Sequence, residues 1–188
     1  YDFLTSAKWV GPANYVRAFR GDPLFWQSLK VTAIYSFVSI PLRLVLGFLI
    51  ALLMNQPISG IYVFRSLFYI PTILPSVAVA FLWIWILNPQ FGLLNYFLRT
   101  FLGLQGPGWL TSETWALPAL IIMSLWGVGG SMVVYLAGLQ GIPSYLYEAA
   151  ELDGGGVLAK FWFVTIPMMS PIIFFNLIMG IISSFQVF

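Results

Sequence analysis

The 188 residues contain no cysteine and no histidine. That excludes disulfide frameworks, thiol nucleophiles, zinc sites built on those ligands and Ser-His-Asp catalysis within this chain. Charge is nearly as scarce. Lys and Arg number 8 and Asp and Glu 6, making 7% of the chain, whereas soluble domains carry about 25%. In their place stand 60% hydrophobic residues, 18% aromatics and a mean hydropathy of +0.93. This composition excludes a water-soluble domain and assigns the chain to lipid.

The expected fold class is all-α, a polytopic transmembrane helical bundle. A helix needs ~20 apolar residues to cross a bilayer core, and four stretches reach that length: Lys30 to Met54, Phe64 to Leu87, Trp115 to Gln140 and Val164 to Phe188. No Asp, Glu, Lys or Arg lies between Arg65 and Arg99, between Glu113 and Glu148, or after Lys160. The segment before Lys30, with Gly11-Pro12, Gly21-Asp22-Pro23 and several aromatics, suits headgroup depth. A small apolar helix is expected near Leu93 to Leu102. The chain opens without methionine and stops within an apolar run, so it reads as an internal piece of a longer protein.

Polar residues inside the spans carry the most information. Arg43 sits mid-way along the first, where an arginine costs ~2.5 to 3.5 kcal/mol on insertion scales and normally faces protein or water. No span contains a carboxylate. Its partner is therefore a carbonyl, a snorkelled headgroup, or a group on an absent segment or subunit. Pro71 and Pro75 are expected to kink the second span, whose Val79 is read as lipid-facing. The third span holds Ser124 and Trp126-Gly127-Val128-Gly129-Gly130-Ser131; the fourth holds Asn176, Gly180, Ser183, Ser184 and Gln186. Mid-span glycines admit a second backbone or a ligand, and serines offer hydroxyls where lipid offers none. Helix packing is the plainer alternative.

Between the third and fourth spans, residues 141–163, stands Y-E-A-A-E-L-D-G-G-G. Ser144 to Asp153 reads as a short helix stopped by Gly154-Gly155-Gly156, with Gly154 at positive φ or in a tight backbone approach. A second piece, Val157 to Phe163, follows. Tyr145, Ala149 and Leu152 make an apolar stripe beside Glu148 and Glu151, a shape suited to a groove on another protein; a solvated loop is the alternative. The run G-G-G-V-L-A-K lacks the G-K-[ST] ending of a phosphate-cradling loop, so this chain binds no ATP itself.

Glu148-Ala149-Ala150, three residues, Gly154, nine residues and then Val164-Thr165-Ile166-Pro167 resemble the E-A-A-x3-G-x9-I-x-L-P signature of permease subunits of binding-protein-dependent ABC importers, with a MetI-like fold. The departures are valine for isoleucine and isoleucine for leucine. F-R-S-L-F-Y-I-P at Phe64 to Pro71, N-P-Q-F-G-L-L-N at Asn88 to Asn95 and L-A-G-L-Q-G-I-P at Leu136 to Pro143 extend the likeness, which is similar to the carbohydrate-uptake branch for maltose, glycerol phosphate and multiple sugars. The resemblance implies four of six core spans and a multi-pass protein of a bacterial or archaeal cell (inner) membrane. It implies a non-enzymatic transport subunit that imports a sugar or sugar derivative. The implied partners are a cytoplasmic ABC ATPase dimer, a second permease in a heterodimer, an extracytoplasmic solute-binding protein and membrane lipid, with no cofactor, metal or nucleic acid. It assigns ATPase coupling to Glu148, Ala149, Ala150, Leu152, Asp153 and Gly154. By position it assigns the sugar path to Ser124, Trp126, Gly127, Gly130, Ser131, Gly180, Ser183, Ser184 and Gln186.

Two points run against it or beside it. The Lys and Arg count is heavier on the side opposite the acidic loop (Lys8, Arg17, Arg20, Lys30 and Arg99 against Arg65 and Lys160). By the positive-inside rule that places the loop outside, whereas the resemblance places it inside. Competing readings are a secondary transporter or channel subunit without an ATPase, an importer permease for a non-sugar solute, and an intramembrane enzyme. The last has no acidic pair inside a span to work with.

Overall fold

The structure, a computed structural model, describes residues 9–187; residues 1–8 and 188, among them Lys8 and the last position of the fourth expected span, lie outside the described residues. Helix α1 (Ala13–Gly21) leads into α2 (Pro23–Met54), then α3 (Ile61–Ile73), α4 (Ser76–Ile86) and α5 (Leu93–Leu102). After a loop come α6 (Ala116–Leu125), α7 (Gly129–Gln140), α8 (Ser144–Leu152), α9 (Val157–Lys160), a π-helical turn (Phe161–Thr165) and α10 (Ile166–Ser184). There is no strand among the described residues. The chain is an all-α membrane protein, with α2 and the continuous helix 157–184 each long and apolar enough to cross a bilayer.

Helix α2 begins at Pro23, earlier than the expected Lys30, because Asp22 caps it. Its carboxylate accepts the Leu24 N–H at 2.9 Å, and Pro23 occupies a first-turn position that needs no donor. At the far end Arg65 donates from Nε and Nη2 to the Met54 carbonyl, at 3.1 and 2.6 Å, satisfying an acceptor the helix leaves open. Pro41 lies inside α2 without ending it.

The other two expected spans are bent pairs. Helices α3 and α4 meet at 99°, far sharper than a proline kink within one helix. Pro75 disfavours helical ψ at the residue before it, and Leu74 is extended at ψ 138°. Helices α6 and α7 bend by 42° at residues 126–128. In the last helix the second loop piece runs into the span without interruption, because the π turn carries the backbone through from Val157 to Ser184.

Helix α2 is the central post, packed against α6, α7 and α10, while α7 also meets α3 and α10. Near the end of α2 that adjoins α3, Phe48, Ala51 and Met54 pack with Met132, Tyr135, Leu139 and Met169. Close approach here depends on missing side chains. A Cβ on Gly129 would press on the Phe68 carbonyl of α3, and one on Gly47 would lie 2.7 Å from Ser131 Oγ. Outward faces stay apolar, with Phe37 82%, Phe81 68% and Phe174 62% exposed. Patches of this kind suit lipid or a packed neighbour, not water.

Helix α5 is fixed by Asn95, which is 2% exposed. Its Nδ2 donates to the carbonyls of Pro89 (3.0 Å) and Pro107 (3.2 Å), and its Oδ1 accepts the Trp109 indole N–H at 2.6 Å. Asn88 starts the same unit by accepting the N–H groups of Gln90 and Phe91. The two asparagines of N-P-Q-F-G-L-L-N thus close the turn before α5 and the loop after it.

Candidate functional site

Two places gather the residues singled out above. The first is α8 and its turn. Gly154 has φ +83°, and its N–H donates to the Glu151 carbonyl at 3.0 Å while the Gly155 N–H donates to that of Ala150 at 2.8 Å. This is the Schellman pattern, in which a left-handed residue closes the last helical turn. Lys160 Nζ then reaches back to Glu151 Oε2 at 2.6 Å, tying α9 to α8. The hydrogen bond and charge of Lys160 hold the Glu151 carboxyl below its ordinary range.

Helix α8 is also fastened to the membrane helix behind it. The Tyr147 hydroxyl and Thr165 Oγ1 share a hydrogen bond at 3.1 Å, placing α8 against the π turn. Turned away from that anchor, Tyr145 is 65% and Leu152 89% exposed, with Glu148, Ala149 and Asp153 also exposed and Ala150 half-buried. A rigidly held helix thus presents small and apolar side chains flanked by carboxylates.

The second place is a cleft of about 260 Å3 between α2, the α6–α7 bend and α10. Helix α2 contributes Ile40, Arg43 and Leu44; the bend contributes Gly127, Gly130 and Ser131; α10 contributes Asn176, Met179, Gly180 and Ser183. Gly127 has open space where a Cβ would be, and a Cβ on Gly130 would meet only Thr72 Cγ2 at 3.8 Å. Arg43 lies 11 residues from the end of α2 and Ser131 nine from the end of α7, which at ~1.5 Å per residue is about 14 to 16 Å, half of a ~30 Å hydrocarbon core. The cleft thus lies about half a hydrocarbon core's thickness from those helix ends.

Five of the expected path residues therefore share one cleft: Gly127, Gly130, Ser131, Gly180 and Ser183. The other four lie elsewhere. Ser184 is buried and accepts a hydrogen bond from Ser36 at 2.9 Å, joining α10 to α2. Gln186 is exposed beyond the end of α10. Trp126 stacks edge to face on Trp83 at 5.7 Å, on the far side of the bend. Ser124 bonds back to the Ile121 carbonyl and lines a separate cleft with Trp83 and Val79, where Val79 is half-buried. Sequence reasoning left Arg43 and Asn176 out of the path. A mid-span arginine without a carboxylate was the signal that pointed to it.

The family described as "binding-protein-dependent transport system inner membrane component" matches residues 18–188. The chain is 44% identical over 190 residues to the "Probable ABC transporter permease protein YesP" of Bacillus subtilis, spanning 100% of this chain and 61% of that protein. It is 35% identical to the "Trehalose/maltose transport system permease protein MalF" of Thermococcus litoralis, over 99% of this chain and 63% of that one. Its fold superposes with TM-score 0.82 and 28% identity on a chain of a bacterial alginate ABC transporter crystallised with an alginate pentasaccharide-bound periplasmic protein, covering 91% of this chain and 60% of that one. The chain thus spans about three-fifths of the length of these relatives.

Proposed function

The chain belongs to the family of binding-protein-dependent transport system inner membrane components, and from that premise we propose that it is the membrane subunit of an ATP-driven importer of a sugar or sugar derivative. Each of the bent pairs 61–86 and 116–140 is then one crossing, giving four spans with α2 and 157–184. The acidic loop faces the cytoplasm despite the opposing Lys and Arg count. An ATPase dimer receives the exposed face of α8, through Glu148, Ala149, Ala150, Leu152, Asp153 and Gly154. A second permease completes the pore, and a solute-binding protein delivers the sugar from outside.

The observation that carries this reading is the fastening of α8. Its Schellman turn, the Lys160–Glu151 ion pair and the Tyr147–Thr165 bond make the loop a stiff handle on the helix that ends at Ser184. A push on Leu152 is passed to α10, which forms one wall of the cleft. A solvated connection would need none of this bracing. The similarity to trehalose/maltose and alginate transport proteins supports a saccharide as the cargo.

The test is reconstitution of the full-length protein with its partner permease, ATPase and solute-binding protein in vesicles. ATP-dependent accumulation of a saccharide is expected. Accumulation that persists without the ATPase would instead support a secondary transporter or channel.

A further inference from the structure

We propose that the imported saccharide carries an acidic group, and that Arg43 is the residue that binds it in the cleft between α2, the α6–α7 bend and α10. The proposal rests on the sugar-uptake reading above and adds the charge of the cargo to it.

Donors and acceptors in the cleft are unevenly shared. Ser131 donates its hydroxyl hydrogen to the Val128 carbonyl at 2.9 Å, and Ser183 donates to those of Met179 and Gly180 at 2.8 and 3.1 Å. Asn176 Nδ2 donates to the Ile172 carbonyl at 2.9 Å. What these side chains leave for a ligand are mostly acceptors, two hydroxyl oxygens and an amide carbonyl, with the second N–H of Asn176 as one neutral donor. Sugar hydroxyls, as donors, suit them. Arg43 is the opposite, a fork of donors with no hydrogen-bond or ion-pair partner among the described residues.

No carboxylate lines the cleft, so the guanidinium charge is unbalanced at a depth where an uncompensated charge is expensive. A ligand that brings both hydroxyl donors and an anionic acceptor satisfies the whole set. A neutral sugar satisfies the serines and Asn176, and its hydroxyl oxygens can accept from the arginine, but it leaves the guanidinium charge unbalanced. A carboxylate from a neighbouring subunit would also balance the charge. It would do so by filling the opening that Gly127 and Gly130 keep clear. Arginine binds carboxylates and other oxyanions through paired N–H donors, which suits a uronic acid or a similarly acidic sugar.

The assembled transporter in vesicles is offered three probe pools: uronic-acid oligosaccharides, the same oligosaccharides with their carboxyl groups reduced to alcohols, and neutral malto-oligosaccharides. We expect uptake of the acidic pool to exceed that of its reduced counterpart at least about tenfold, the scale of one charge-assisted contact. Arg43→Gln should lower acidic uptake by a similar factor, and Arg43→Lys by less, with all subunits still co-purifying in both variants. Equal uptake of acidic and reduced pools, or undiminished acidic uptake by Arg43→Gln, overturns the proposal. So does loss of the second permease from the Arg43→Gln complex, which would make Arg43 an interface residue. Uptake confined to malto-oligosaccharides overturns it while leaving the sugar reading intact. Absence of uptake from all three pools defeats the sugar reading, and this proposal with it.

Discussion

Gly127 and Gly129 stand two residues apart at the same bend, yet alanine should have opposite consequences at them. At Gly129 the added Cβ would press on the Phe68 carbonyl oxygen and lie 2.8 Å from its carbon and 3.1 Å from Tyr69 Cα. All of these are backbone atoms of α3, which no side-chain rotation can move. Ordinary contact begins near 3.4 Å, so α3 must shift away from α7, and overpacking of this kind costs about 1 to 3 kcal/mol. At Gly127 nothing lies within 4 Å, and alanine should be neutral or stabilise by about 0.4 to 1 kcal/mol through the unfolded chain. Thermal unfolding of the detergent-solubilised protein measures both. Gly129→Ala should lower Tm clearly, with Gly127→Ala at or above the parent. Matching Tm values for the two variants would refute the claimed contact between α7 and the α3 backbone.

Other outcomes follow from the same geometry. Asn95→Ala should destabilise by about 1 to 3 kcal/mol, since it strands the buried end of the Trp109 indole and frees the loop 103–109; protease cutting within that loop should rise. Gly154→Val should cost about 1 to 2 kcal/mol at φ +83° and weaken the dependence of uptake on ATP; unchanged coupling would show the turn to be permissive. Because Lys160 holds the Glu151 carboxyl below its ordinary range, the bracing of α8 by that pair is present at neutral pH and is lost as pH falls through the lowered value. Amide protection factors in residues 144–160, taken relative to the intrinsic exchange rate at each pH, should therefore fall on acidification, and Glu151→Gln should remove that response. Gly127→Trp should fill the cleft and stop uptake while ATP hydrolysis partly persists.

The sequence exposed what its physics could mark. Long runs without charge located the apolar helices, and Gly154 is a local signal whose turn formed as its chemistry dictates, whereas Gly21-Asp22-Pro23 was read as a turn and instead caps α2. The 99° corner at Leu74–Pro75 was harder to read, because a proline's local effect is known while the angle depends on what α3 and α4 pack against. The cleft divided the expected path in the same way. Ser183 and Ser184 are neighbours in sequence, yet helical rotation turns one to the cleft and the other to Ser36. Which serine faces which neighbour is a tertiary fact. The Lys and Arg count and the family resemblance disagreed about orientation, and few charges remain from which to count.

Transmission of ATPase motion by α8 to the membrane helices is open to single-site chemistry, because these 188 residues contain no cysteine. Leu152→Cys places one thiol at the most exposed position of the α8 apolar face, 89% exposed. In vesicles holding the complete transporter, a short bifunctional reagent should link this cysteine to the ATPase, with a yield that changes on adding ATP. A thiol that reacts freely with a small soluble probe in the assembled complex, yet never links to the ATPase with or without ATP, would rule out docking of α8 on the ATPase.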